Sequence, residues 1–175
     1  MTQEVDIAES TDRDMEALAV LYRETFPDED LMPIVREVIT GEADYLSVVA
    51  RRERAVVGHV LFTMCGIDGQ AGSAALLAPL GVWPGCQRQG IGRALVAEGF
   101  RRLENGGVTH VYVLGDPAYY GRFGFKVEAG VPPPYALPED WRDAWQSIGL
   151  HGSNAAAEGK LIVPMPWQRP ELWTD

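Results

Sequence analysis

Between residues 74 and 114 the hydrophobic period changes twice, and that change limits the chain to few architectures. Residues 74–82, Ala-Ala-Leu-Leu-Ala-Pro-Leu-Gly-Val, are an apolar run of strand length. From Gly90 onward Ile91, Ala94, Leu95, Ala97, Phe100 and Leu103 fall near one helical face, and Asn105-Gly106-Gly107 stops the helix. Residues 108–114 return to the pattern of a buried strand. Strand, glycine-led helix and strand make a βαβ crossover, which requires a sheet with at least one parallel pair. Pro79, with Gly81 close behind, predicts a bulge or splay in the first of these strands rather than an unbroken ladder.

The rest of the chain fits around this unit. Residues 5–8 read as a first strand, and Ser10-Thr11-Asp12 supplies side-chain oxygens suited to a helix N-cap. Met15, Leu18, Ala19, Leu21 and Tyr22 recur at helical spacing until Pro27, and a second helix is expected over 31–39, with Pro33 in its first turn and Thr40-Gly41 at its end. Residues 45–50 and 55–62 are rich in β-branched and aromatic side chains and read as a hairpin, followed by a turn at 67–70. Beyond 114 the reading is one helical turn over 116–120 and a strand over 123–127. An extended Pro132-Pro133-Pro134 connector, a short helix over 138–147 and a final strand over 160–165 follow. The fold class expected is mixed α/β (α+β), as a single domain over residues 1–175.

Composition excludes several functions. A net charge of −10 argues against a nucleic-acid binder, because phosphate neutralisation needs clustered Lys and Arg, and mildly favours a cationic substrate. The longest apolar runs fall far short of the roughly 20 residues needed to cross a bilayer, so no membrane span is expected. The N-terminal Met-Thr-Gln-Glu-Val-Asp lacks the basic flank and apolar core of a secretory signal, which makes the cytoplasm the default location. Cys65 and Cys86 have no ligand-like spacing to each other or to the three histidines, so no metal site is expected.

Chemistry concentrates where residues 82–86, Val-Trp-Pro-Gly-Cys, turn into Gln87-Arg88-Gln89-Gly90-Ile91-Gly92-Arg93. A helix start collects unpaired N–H groups and partial positive charge, so it suits a pyrophosphate. Gly90 and Gly92 would let backbone amides approach phosphate oxygens, and Arg88 or Arg93 could add charge. A glycine-rich turn without a ligand explains the same two glycines. The Gly-Lys-Ser/Thr ending of a P-loop is absent, and so is the third glycine of a dinucleotide-binding fingerprint.

Gln87-x-x-Gly90-x-Gly92, preceded by Leu80-Gly81-Val82-Trp83-Pro84, resembles the acetyl-CoA signature of the GNAT N-acetyltransferases. The segment 113–125, Val-Leu-Gly-Asp-Pro-Ala-Tyr-Tyr-Gly-Arg-Phe-Gly-Phe, resembles a bacterial subgroup of that superfamily, and residues 57–62 resemble its strand before the substrate-side hairpin turn. The resemblance covers roughly residues 5–125. It implies a splayed sheet whose diverging strands, here 74–82 and 108–114, admit the pantetheine arm. It further implies acetyl-CoA as acyl donor, bound by Leu80, Gly81, Val82, Gln87, Arg88, Gln89, Gly90, Ile91, Gly92 and Arg93. A small-molecule or peptide amine would be the acceptor, with a homodimer left open. An amide near Val82 would polarise the thioester carbonyl.

Many members are associated with a carboxylate on the strand before the phosphate loop. Residues 74–82 contain none, which puts a direct carboxylate base in doubt. Glu24, Asp28, Glu29, His59 and Asp116 are the weak candidates, acting through water or by binding a cationic amine. Tyr120, five residues before Phe125 of the Gly124-Phe125 pair, matches the position of the family's general acid; Tyr119 competes with it. Trp141, Trp145, Trp167 and Trp173 read as core, or as the lining of an acceptor pocket. The rival functions are a non-catalytic acyl-CoA-binding sensor, kept open by the missing strand carboxylate, and a toxin acting on charged tRNA, disfavoured by the acidic balance.

Overall fold

The computed structural model describes residues 4–68, 70–151 and 157–174; Gly69, in the expected turn at 67–70, lies outside the described residues. The strands are β1 (Asp6–Glu9), β2 (Tyr45–Arg52), β3 (Ala55–Ile67), β4 (Gln70–Val82), β5 (His110–Leu114), β6 (Lys126–Val127), β7 (Trp145–Gly149) and β8 (Leu161–Ile162). The helices are α1 (Met15–Thr25), α2 (Met32–Thr40), α3 (Ile91–Asn105) and the single turn α4 (Pro117–Tyr120). The sheet order is β1-β2-β3-β4-β5-β7-β6, with β8 added against β3. β4 and β5 pair in parallel, whereas β1 with β2, β5 with β7, β6 with β7 and β3 with β8 are antiparallel. This is the mixed, open α/β sheet expected, with its crossover through α3.

The chain divides into two compact units, residues 1–62 with 79–102, and residues 63–78 with 103–175, so β3 and β4 each contribute to both. In the first unit Leu18 and Leu21 of α1 and Val49 of β2 form a buried cluster, against which Met32, Ile39, Val56 and Trp83 pack. The helix start is fixed by Asp14, whose carboxylate accepts the Thr11 N–H at 2.7 Å and the Arg51 guanidinium at 2.6 Å. Those bonds outweigh the cost of its burial and hold its pKa below the ordinary value.

The second unit is built on aromatic residues. Tyr112 stacks on Trp145 at 5.5 Å between centroids, and Trp173 meets Trp145 and Trp167 edge-on. Each buried indole N–H has a partner: Trp145 to the Val131 carbonyl, Trp167 to Thr63 Oγ1 and Trp173 to the Trp167 carbonyl. These three tryptophans are core, while Trp141 is half-buried.

Five expectations change. The short helix over 138–147 is a 3₁₀ segment at Glu139–Ala144 that gives way to strand β7, with Trp145 opposite Leu114 and Ile148 opposite Val111. The strand over 160–165 shrinks to β8, and that over 123–127 to β6 after a 3₁₀ turn at Gly121–Phe123. β3 runs five residues beyond Phe62, to Ile67. Finally, Pro79 does not interrupt β4, which is continuous to Val82. The β4–β5 ladder covers only Ala74↔His110, Ala75↔Val111 and Leu76↔Tyr112, so a proline at 79 removes no bond to β5. Past Leu76 the ladder stops, while Val113 and Leu114 continue their pairing with β7. The β4–β5 ladder is therefore short, although β4 itself has no break.

Candidate active site

β4 ends at Val82, a 3₁₀ turn follows at Pro84–Cys86, and α3 starts at Ile91. Across residues 87–93 the first backbone–backbone hydrogen bond reached is the Ala94 N–H to the Gly90 carbonyl. Among the described residues, the N–H groups of residues 87–93 thus make no backbone bond. Gln87, Arg88, Gln89, Gly90 and Arg93 are exposed, and Ile91 is buried. Backbone φ is +62° at Arg88 and +85° at Gly90, a conformation that costs a non-glycine residue about 1 kcal/mol or more and turns successive N–H groups into an anion-binding concavity. The 15-residue α3 adds the positive end of its dipole.

Side chains brace this turn from behind. The Gln87 amide donates to the Val82 carbonyl at 3.0 Å, so the glutamine of the motif holds the strand end. Arg52 of β2 donates to Gln89 Oε1 at 2.9 Å and to Cys86 Sγ at 3.7 Å. Arg52 was not anticipated, because nothing in local spacing connects it to residues 86–89.

The remaining candidates separate clearly. Glu24, Asp28 and Glu29 are exposed. Asp116 caps α4, accepting the Ala118 N–H at 2.9 Å. His59 lies wholly buried, with Nδ1 2.6 Å from the Tyr22 hydroxyl and Nε2 2.7 Å from Ser47 Oγ. Burial pushes its imidazole down to about 3, against the pull of the Asp14 carboxylate, so it is neutral with both nitrogens engaged. As a base it has no open nitrogen, and that expectation is corrected on this geometry.

Tyr120 belongs to the second unit, the turn at 87–93 to the first. Its ring sits among Tyr119, Phe123 and Phe125 at 5.1, 6.1 and 5.8 Å. It also occupies the place a Cβ on Gly115 would need, so Gly115 is the residue that makes room for it. The spacing Gly115 to Tyr120 was the available signal for this fit. Burial, then the neighbouring Tyr119, raises the Tyr120 phenol above its ordinary value. No hydrogen-bond partner meets its hydroxyl among the described residues. Tyr119 instead carries the Arg122 guanidinium 5.7 Å from its ring centre. Cys65 is buried, its thiol pushed up to about 12 chiefly by that burial, which leaves it no nucleophilic character. No cluster able to hold a metal ion occurs among the described residues. Nor is any described helix long and apolar enough to cross a membrane.

A mixed, open α/β sheet whose fourth strand leads through this turn into the crossover helix α3 is the arrangement of an acetyltransferase fold. Residues 15–125 match the model of the acetyltransferase (GNAT) family, and the chain belongs to that family. It is 40% identical over 126 residues to the uncharacterised N-acetyltransferase YjhQ of Escherichia coli K12, covering 69% of this chain and 70% of that one. To the uncharacterised N-acetyltransferase YhbS of the same strain it is 32% identical over 117 residues, covering 66% and 70%. The crystal structure of Escherichia coli YhbS in complex with CoA superposes with a TM-score of 0.82 at 25% identity, covering 97% of this chain and 94% of that one. A Brucella melitensis GNAT acetyltransferase in complex with acetyl-CoA gives 0.76 at 25% identity, covering 94% and 99%.

Proposed function

We propose that the whole chain acts as one cytosolic N-acetyltransferase domain, moving the acetyl group of acetyl-CoA to a primary amine by direct attack in a ternary complex. The run of N–H groups over residues 87–93 that have no backbone partner, at the start of α3, carries this reading, because such a run suits the negative charge of a pyrophosphate. Arg88 and Arg93 add positive charge. Leu80, Gly81 and Val82 offer their backbone to the pantetheine and to the thioester oxygen. The amine nitrogen bonds to the thioester carbon, the C–S bond breaks, and the nitrogen's surplus proton leaves through water to the exposed carboxylates, Glu24 the nearest in role. Tyr120 donates its proton to the departing thiolate. The phenol is protonated at neutral pH, and because burial raises its pKa and so weakens it as an acid, the proton moves only to a thiolate that develops within hydrogen-bond reach and is itself shielded from water.

Neither cysteine takes part, so no acyl-enzyme forms. The test pairs calorimetry of CoA binding with thiol release from acetyl-CoA over a panel of amines. In Gly92→Glu a carboxylate enters the phosphate cradle, and CoA affinity should drop by about 100-fold or more, as expected for added bulk and a charge of the same sign beside the pyrophosphate. Unchanged affinity in the folded variant removes the site. Binding without thiol release from any amine would favour the sensor reading, for which the missing carboxylate on β4 speaks.

A further inference from the structure

Buried polar side chains that a mechanism does not use need a reason for being there, since each must be satisfied away from water. Ser10, Ser47, His59 and Tyr22 form such a chain. Ser10 Oγ donates to Ser47 Oγ at 2.6 Å, Ser47 lies 2.7 Å from His59 Nε2, His59 Nδ1 lies 2.6 Å from the Tyr22 oxygen, and Tyr22 donates to the Pro79 carbonyl at 3.5 Å. One proton arrangement satisfies every link. Tyr22 spends its proton on Pro79, so His59 Nδ1–H donates to Tyr22, and Nε2 accepts from Ser47. Ser47 then has an oxygen lone pair for Ser10. The tautomer follows from the network.

The end of this chain is β4. A Cβ on Gly81 would stand 2.9 Å from Tyr22 Cε1 and 3.6 Å from Phe26, so Tyr22 lies flush against the glycine. One turn along α1, Thr25 Oγ1 donates to the Val82 carbonyl at 3.4 Å, where Gln87 also donates. The Pro79 carbonyl and the Leu80 N–H share one rigid peptide plane, so holding the first aims the second.

We propose that Tyr22 is a positioning residue for acyl transfer, fixed by His59, Ser47 and Ser10, and that it sets the direction of the backbone N–H groups over residues 80–82 that face the thioester. The assignment rests on the acetyl-CoA reading given above. Tyr22→Phe keeps the ring on Gly81 and deletes only the hydroxyl. It should lower kcat by about tenfold, within the range seen when reacting groups are misplaced by a fraction of an ångström, while KM for acetyl-CoA moves by less than about threefold. Ser47→Ala leaves Tyr22 in place and frees its support, so a smaller fall in kcat of the same kind is expected; it decides the matter if Tyr22→Phe does not fold. A role in stability alone would lower the melting temperature and leave kcat per folded molecule unchanged in both variants, which overturns the proposal. A rise in KM at constant kcat overturns it as well. If the wild-type enzyme releases no thiol with any amine, the transferase reading falls and takes this one with it. Wild-type turnover with an unaffected Tyr22→Phe enzyme removes the positioning role alone.

Discussion

The turn at residues 87–93 and the buried chain of Ser10, Ser47, His59 and Tyr22 belong to the same unit and treat polar groups in opposite ways. The turn leaves its N–H groups without backbone partners and spends its side chains, Gln87 and Gln89, on bracing. In the buried chain every polar atom has a partner, and beyond the half-buried Ser10 the residues are nearly sealed, Tyr22 at 1% and His59 at 0% exposure. An open donor array is unfavourable for folding and useful for binding. A closed network is the reverse: it specifies geometry and offers nothing to a ligand. The contrast teaches where substitutions should register. At open groups they change chemistry or affinity, and at closed groups they change stability or precision.

The largest effect is expected at a group of the second unit whose hydroxyl has no partner among the described residues. Tyr120→Phe removes a hydroxyl that no described residue engages, so stability should hardly change. If Tyr120 protonates the leaving thiolate, kcat falls by about 10²–10⁴-fold while CoA affinity moves less than about threefold. The measurement is single-turnover transfer, where chemistry rather than product release sets the rate. A wild-type rate would transfer the role to Tyr119 or to water.

The closed network makes the opposite kind of prediction. His59 is neutral when folded, with its pKa near 3, against an ordinary value of 6.5 in the unfolded chain. Below pH 6.5 the unfolded state takes up a proton that the folded state refuses, so stability falls as pH drops, and the loss is complete near pH 3. The shift corresponds to on the order of 5 kcal/mol, a large part of a typical domain's stability. Urea unfolding at steps from pH 7 to pH 4 should show this decline, less steeply in His59→Gln, which has no ionisation to resist. Equal slopes in the two proteins would show that His59 is not the acid-sensitive group.

These two sites differed in how far the sequence revealed them. The turn was legible, because glycines at 90 and 92 at the start of an apolar-faced helix state a local geometry. The packing of Tyr120 on Phe125 and over Gly115 is local too, since the three lie within eleven residues of one another. The buried chain was not. Tyr22, Ser47 and His59 are separated by 25 and 12 residues, and their union depends on α1 lying across β2 and β3. Strand β7 was missed for the same reason: it is short, follows a helix-like acidic stretch, and gains its partners from β5 some 30 residues earlier. Gln146 marks it in the structure, buried with its amide on the Gly115 carbonyl at 3.0 Å, but an isolated glutamine carries no period. By contrast, β3 and β4 read correctly over most of their length, since long β-branched and apolar runs state their own preference.

The smallest effect is expected at Cys86, and its smallness is informative. Cys86 closes the 3₁₀ turn before residue 87 and is half-buried, and its sulfur accepts a long 3.7 Å contact from Arg52. Were the turn to act through side chains, this thiol beside a guanidinium would be its most reactive group, and a covalent acetyl-cysteine would be the natural intermediate. If the backbone carries the function, the sulfur is replaceable, because Arg52 keeps its 2.9 Å bond to Gln89 and Gln87 keeps its bond to Val82. Serine is smaller and keeps a weak acceptor at the same place. Cys86→Ser should therefore leave kcat unchanged and CoA affinity within about twofold, the scale of one weak neutral contact in a partly exposed site. Intact-mass spectra taken during turnover should show no acetyl adduct on the wild-type chain. An adduct at Cys86 that disappears together with activity in the serine variant would replace direct transfer by a two-step route, and would move this turn from the open, backbone-driven side of the comparison to the side where a single atom decides the chemistry.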